Sequence, residues 1–135
     1  MANPNIVNVT SIYGNTAYVI PSSAATATTS WTYNGTTSLT GLTPAASTVN
    51  RVTSITCANT TSSAATATIA IGNNATFGSA TVVTYPAYQI SVPANSTLVI
   101  IDKTNSVYIT ENQSVAAYSG TASALTFTAT FEAIT

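Results

Sequence analysis

Residues 125–132 read Leu125-Thr-Phe-Thr-Ala-Thr-Phe-Glu132, and this run decides the fold class. Leu125, Phe127, Ala129, Phe131 and Ala133 share one parity; Thr126, Thr128, Thr130 and Glu132 share the other. Successive side chains of an extended strand point to opposite faces, so strict alternation places one face in a core and the other in water. Working back towards Tyr88, the rhythm recurs in Ser114-Val-Ala-Ala-Tyr118, Ser106-Val-Tyr-Ile-Thr110, Thr97-Leu-Val-Ile-Ile101 and Tyr88-Gln-Ile-Ser-Val92. Turn residues separate the runs: Pro-Ala-Asn-Ser, Asp-Lys-Thr-Asn, Glu-Asn-Gln and Ser-Gly-Thr-Ala-Ser. Short runs repeating at about ten-residue intervals predict an antiparallel sandwich or barrel.

The N-terminal half continues the pattern less regularly. Thr16-Ala-Tyr-Val-Ile20 reads as a strand ended by Pro21, and Ser22–Ser30 as a loop or weak edge strand. Trp31 and Tyr33 lie two apart, on one face if extended. Asn34-Gly35 is a strong hairpin-turn signal, with Thr36–Leu42 as the return arm. In Val49–Asn59 the residues Val49, Arg51, Thr53, Ile55 and Cys57 share a parity that Val52 breaks, which predicts a bulge near Val52 or a strand covered on both faces. Ala65, Ala67, Ile69 and Ile71 alternate with Thr66 and Thr68. Pro86 and Pro93 must sit at edges, strand ends or turns. Ser-Ala-Ala-Thr-Ala-Thr occurs at Ser23–Thr28 and again at Ser63–Thr68, a recurrence that the biased composition is enough to produce by chance, with an internal duplication as the alternative. No segment of useful length has helical period.

The expectation is one all-β domain, an antiparallel jelly-roll-like β-sandwich over residues 16–135, preceded by an N-terminal arm over residues 1–15. In the arm, Ile6, Val7, Val9 and Ile12 sit among Asn, Thr, Ser and Gly, and Pro4 disfavours helix before it. Terminal segments stay disordered unless tied down, and these apolar residues predict that this one is tied down, either as a first edge strand or as an extension docked on a neighbour. With Tyr13, Tyr18, Trp31 and Tyr33 they form the expected interface. Tyr88 and Tyr108 are expected to fill or rim the core.

Charged residues make up 4% of the 135-residue chain, with a net charge of −1; about a quarter is usual. Serine and threonine supply roughly a third of the chain, far above ordinary usage. Hydroxyls hydrate a surface without the self-repulsion that keeps proteins apart. This composition suits a surface packed against other protein, while a hydroxyl-solvated soluble domain is the alternative. The absence of a basic patch argues against nucleic acid, and the short apolar runs argue against a membrane span. Met-Ala-Asn-Pro-Asn does not read as a signal peptide. The chain has no histidine, which removes Ser-His-Asp and Cys-His chemistry. A single cysteine and three scattered acids offer no metal cluster and no carboxylate pair for glycoside hydrolysis. Cys57 reads as a buried inert thiol. The chain is therefore not expected to be an enzyme, nor to hold a cofactor.

Four stretches carry a resemblance: Ile12-Tyr-Gly-Asn-Thr-Ala17, Val49-Asn-Arg-Val-Thr-Ser-Ile55, the run from Ala87 to Thr104, and Val107-Tyr-Ile-Thr-Glu-Asn-Gln-Ser114. They resemble a family of small virion structural proteins of tailed phages, many from viruses of cyanobacteria. The resemblance implies a capsid decoration or cement protein on the virion surface. Its partners would be the major capsid protein and further copies of itself, with a trimer favoured. It supplies no catalytic residues. The loop Thr29–Leu42 departs from the family's pattern. A neck or tail component is the alternative within the virion. A carbohydrate-binding β-sandwich module, with the tyrosines and Trp31 as a sugar platform, is the alternative outside it.

Overall fold

The computed structural model describes residues 8–81 and 83–135, and over these the chain is an all-β sandwich. The strands are β1 (Ile12–Val19), β2 (Ser30–Tyr33), β3 (Thr37–Thr40), β4 (Val49–Asn59), β5 (Ala65–Gly72), β6 (Val83–Val92), β7 (Thr97–Ile101), β8 (Val107–Ile109), β9 (Ser114–Ser119) and β10 (Leu125–Ile134). One sheet runs β3-β2-β1-β10-β4-β7, with β8 also paired to β4; the other runs β6-β5-β9. Residues 25–28 extend the smaller sheet beyond β9. Ala25 N–H donates to the Ser119 carbonyl (2.8 Å), and Thr28 exchanges both backbone bonds with Ala117 (2.9 and 3.0 Å). The order β1-β10-β4-β7 thus faces residues 25–28, β9, β5 and β6. This is the connectivity of a jelly roll, with the β2–β3 hairpin added beside β1. The two Ser-Ala-Ala-Thr-Ala-Thr segments end up on opposite sides of β9.

The last strand has the facing its alternation predicts. Leu125, Phe127, Ala129 and Phe131 are buried, and Thr130 is exposed. The pattern reverses at the end, where Ile134 rather than Ala133 is buried. Phe127 packs with Trp31, Leu42, Val52, Ile55, Ile69, Ile101, Ile109 and Val115 in a continuous core between the sheets. In β4 the broken parity is a bulge. Ser54 pairs with Thr130 and Val52 with Phe131, leaving Thr53 as the extra residue. The Thr53 hydroxyl donates to the Thr130 carbonyl (3.1 Å). Beyond the bulge the inward parity switches from Ile55 and Cys57 to Val52 and Asn50. In the β2–β3 turn, Asn34 (φ 53°) and Gly35 (φ 79°) both take left-handed conformations, as mirror-image hairpin turns require.

Three expectations are corrected. The sheet begins at Ile12, so residues 12–15 belong to the sandwich rather than to an arm. The physical reason is that β10 runs to Ile134 and needs a ladder partner along its full length. Ile12 pairs with Ile134 and Tyr13 with Ala133. Thr10 N–H then donates to the Thr135 carbonyl (2.6 Å), and Thr135 N–H returns a bond to Ser11 (3.0 Å). Trp31 is fully buried and is not an interface residue. Its indole fills the core, and Nε1–H donates to the Val115 carbonyl (3.2 Å), which satisfies its one polar atom. Tyr88 and Tyr108 are exposed and fill no core.

Candidate functional site

The outer face of β1-β10-β4-β7 is the broadest uncovered surface of the larger sheet. Rows of paired residues cross it: Tyr18, Thr128, Thr56 and Val99; Thr16, Thr130 and Ser54; Gly14, Glu132, Arg51 and Tyr108. Threonine hydroxyls line its centre. Ile12 (58% exposed), Tyr18, Val99 (58%) and Tyr108 stand out of it towards the margins, and Ile20 extends it past the end of β1. Its charges are Arg51 and Glu132, which lie opposite each other and pair at 3.6 Å. Half-exposed pairs of this kind contribute about 0.2–1 kcal/mol. Their consequence here is that the face carries no unpaired charge.

The expected interface residues do not form one patch. Ile6 and Val7 lie outside the described residues. Val9 is half-buried, while Ile12 and Tyr18 stand on the outer face. Tyr13 and Tyr33 come together elsewhere. Both line a groove of about 510 Å³ at one end of the sandwich, with Asn15, Leu39, Pro44 and Ala133. Tyr13 is 64% exposed, whereas Tyr33 packs partly on the core. Thr135, which ties Ser11, also lines this groove, so the chain enters the domain at its rim.

A second recess lies on the smaller sheet. Thr66 and Thr68 of β5 form its floor, Tyr118 of β9 one wall, and Tyr85, Tyr88 and Gln89 of β6 the other; its volume is about 250 Å³. The Tyr85 and Tyr88 rings meet edge to face, 4.9 Å apart at 67°. Tyr118 in turn meets the edge of Phe77 at 6.4 Å. Burial, and after it the neighbouring Tyr85, pushes the Tyr118 phenol above its ordinary pKa, so it stays a protonated donor. Period-two reading hides this recess, because residues 85 and 88 have opposite parity. Two bulges in β6 bring them to one face: Tyr85-Pro86 lies opposite Ala70, and Tyr88-Gln89 opposite Thr68. Pro86, which has no N–H to donate, is accommodated at a bulge on an edge strand.

Asp102 and Cys57 are local in role. Asp102 Oδ1 accepts from the Thr104 hydroxyl (2.6 Å) and N–H (2.8 Å), which closes the β7–β8 turn and holds the carboxyl below its usual range. Cys57 is a free thiol inside the core, and burial pushes it up to about 12. Among the described residues, no three His, Cys, Asp or Glu side chains converge in a way that could hold a metal ion. Among the described residues, no helix is long and apolar enough to cross a membrane.

Compared with known proteins, the chain matches no family model, no curated protein and no solved structure.

Proposed function

We propose that this chain is a structural protein of a tailed-phage virion, a decoration protein that lies on the head shell and bridges its subunits. The observation that carries the reading is the outer face of β1-β10-β4-β7. Burying charge without a partner is costly, and stable interfaces are depleted of it at their centres. This face presents hydroxyls, aliphatic and aromatic side chains, and one ion pair that is already matched. It can be covered by protein with little desolvation loss. The partners in this reading are the major capsid protein and further copies of the chain, with the trimer taken from the family resemblance. Many weak contacts around a capsomer would add through multivalency. The Tyr13–Tyr33 groove, beside the point where the N-terminal residues enter, supplies a second contact. No catalytic role is assigned to any residue.

The test is to mix the purified chain with head shells lacking it and to measure bound copies by sedimentation. The intact chain should sediment with the shells. Tyr18→Glu and Val99→Glu, which place a charge on the face without touching the core, should each weaken binding at least tenfold. Undiminished binding by both variants would remove this face from the interface. A chain that associates with neck or tail assemblies and not with shells would move it to that part of the virion.

A further inference from the structure

The tyrosine recess on the smaller sheet is left unused by assembly through the larger one, and it is built at a cost. Gln89 holds φ at 49°, a left-handed conformation uncommon for a side chain of its size. Strain of this kind persists where the surroundings enforce it and concentrates at binding sites. Here it accompanies the bulge that turns Tyr88 to the same face as Tyr85. Bulges that re-aim side chains beside functional sites are a recurrent device. The Thr68 hydroxyl accepts from the Gln89 N–H (2.8 Å), which pins the bulge to the floor of the recess and leaves the hydroxyl proton to donate inward.

We propose that this recess binds a neutral saccharide, with one pyranose ring seated against Tyr85, Tyr88 and Tyr118. A pyranose has an apolar C–H face and a rim of hydroxyls. Aromatic side chains match the face, and neutral donors and acceptors match the rim. The recess offers both: three phenol rings, the Thr66 and Thr68 hydroxyls and the Gln89 amide, with no Asp, Glu, Lys or Arg among its lining. An ionic ligand would therefore find no counter-charge. At about 250 Å³ the recess is smaller than the roughly 300–1,000 Å³ of sites for larger organic ligands, which suits a single ring. It is also too short for a proline-rich peptide, which needs an extended aromatic groove. The Gly120 backbone closes one side. Its N–H donates to the Thr66 carbonyl (2.8 Å), and a side chain there would collide with the Thr66 hydroxyl.

The experiment presents the full chain to an array of neutral and acidic glycans. The strongest neutral oligosaccharide is then titrated by calorimetry and saturation-transfer NMR. Retention of neutral glycans is expected, with an affinity indifferent to salt. Tyr88→Ala should weaken it at least tenfold, Tyr88→Phe should keep most of it, and Gln89→Asn, which tolerates left-handed backbone but withdraws the amide, should weaken it several-fold. Tyr108→Ala, on the other sheet, should change nothing. Tyr88 is 58% exposed, so its replacement leaves the core intact, which circular dichroism would check. Retention of no neutral glycan, capture of acidic glycans alone, unchanged affinity in Tyr88→Ala, or binding of polyproline instead would overturn the assignment. The shell-sedimentation assay is independent of this one, so either proposal can fail alone.

Discussion

Trp31 carries the bulkiest of the fully buried side chains, and its indole also supplies the hydrogen bond that ties β2 to Val115 of β9. Trp31→Ala should cost about 3–5 kcal/mol, as large aromatic truncations do, and denaturant melts would measure it. A cost below about 1 kcal/mol, the size of a surface change, would mean that the indole does not hold the two sheets together. Sequence position could not separate this role from a surface one, because an aromatic pair two apart is compatible with either face. Cys57 behaves differently. Its thiol is held up to about 12, while the unfolded thiol ionises from about 8.5. The unfolded state therefore loses its proton first, so stability is full below about pH 8.5 and falls through the window up to about 12. The slope is at most ~1.4 kcal/mol per pH unit. Melting temperatures of the wild type and Cys57→Ala across that window should converge as pH rises. In the native protein near neutral pH, thiol reagents should leave Cys57 unmodified until denaturant is added.

At the scale of elements, legibility followed regularity. β10 could be read because its period-two pattern is unbroken from Leu125 to Phe131. In β4 the change of parity at Val52 was visible as a disturbance, and the bulge at Thr53 is its cause. Deleting Thr53 should therefore do less harm than deleting Thr56. Without Thr53, Asn50, Val52, Ile55 and Cys57 fall into one unbroken alternation against Phe131 and Thr130, whereas loss of Thr56 from the regular part of the strand forces one end of it onto the wrong face. Comparable melts for the two would contradict the assigned register. β6 was not legible in this way. Its paired bulges break the period twice, so Tyr85 and Tyr88 could not be placed together without coordinates. The start of β1 was hidden for another reason. Tyr13, Gly14 and Asn15 read as the end of an arm, and they become a strand because β10 offers them a ladder. Removal of residues 2–9 should accordingly leave the sandwich folded, while removal of 2–19 strips β10 of a partner and should abolish cooperative unfolding.

For the whole molecule, the decisive quantity is charge. With 4% charged residues and a net charge of −1, little repulsion opposes association, and the uncovered sheet face matches that economy. Jelly rolls serve coats and sugar-binding proteins alike, so the architecture does not choose between the two proposals; the surfaces do. Sedimentation velocity over a range of concentrations should show self-association, with a trimer as the endpoint, and Tyr18→Glu should shift it towards monomer. The coat proposal meets its most direct test in an electron cryomicroscopy map of phage particles assembled with this chain present. The account predicts jelly-roll density on the outside of the head shell, in repeated copies, with the outer face of β1-β10-β4-β7 turned against neighbouring protein. A particle without this density, or one in which that face looks into solvent, would contradict it.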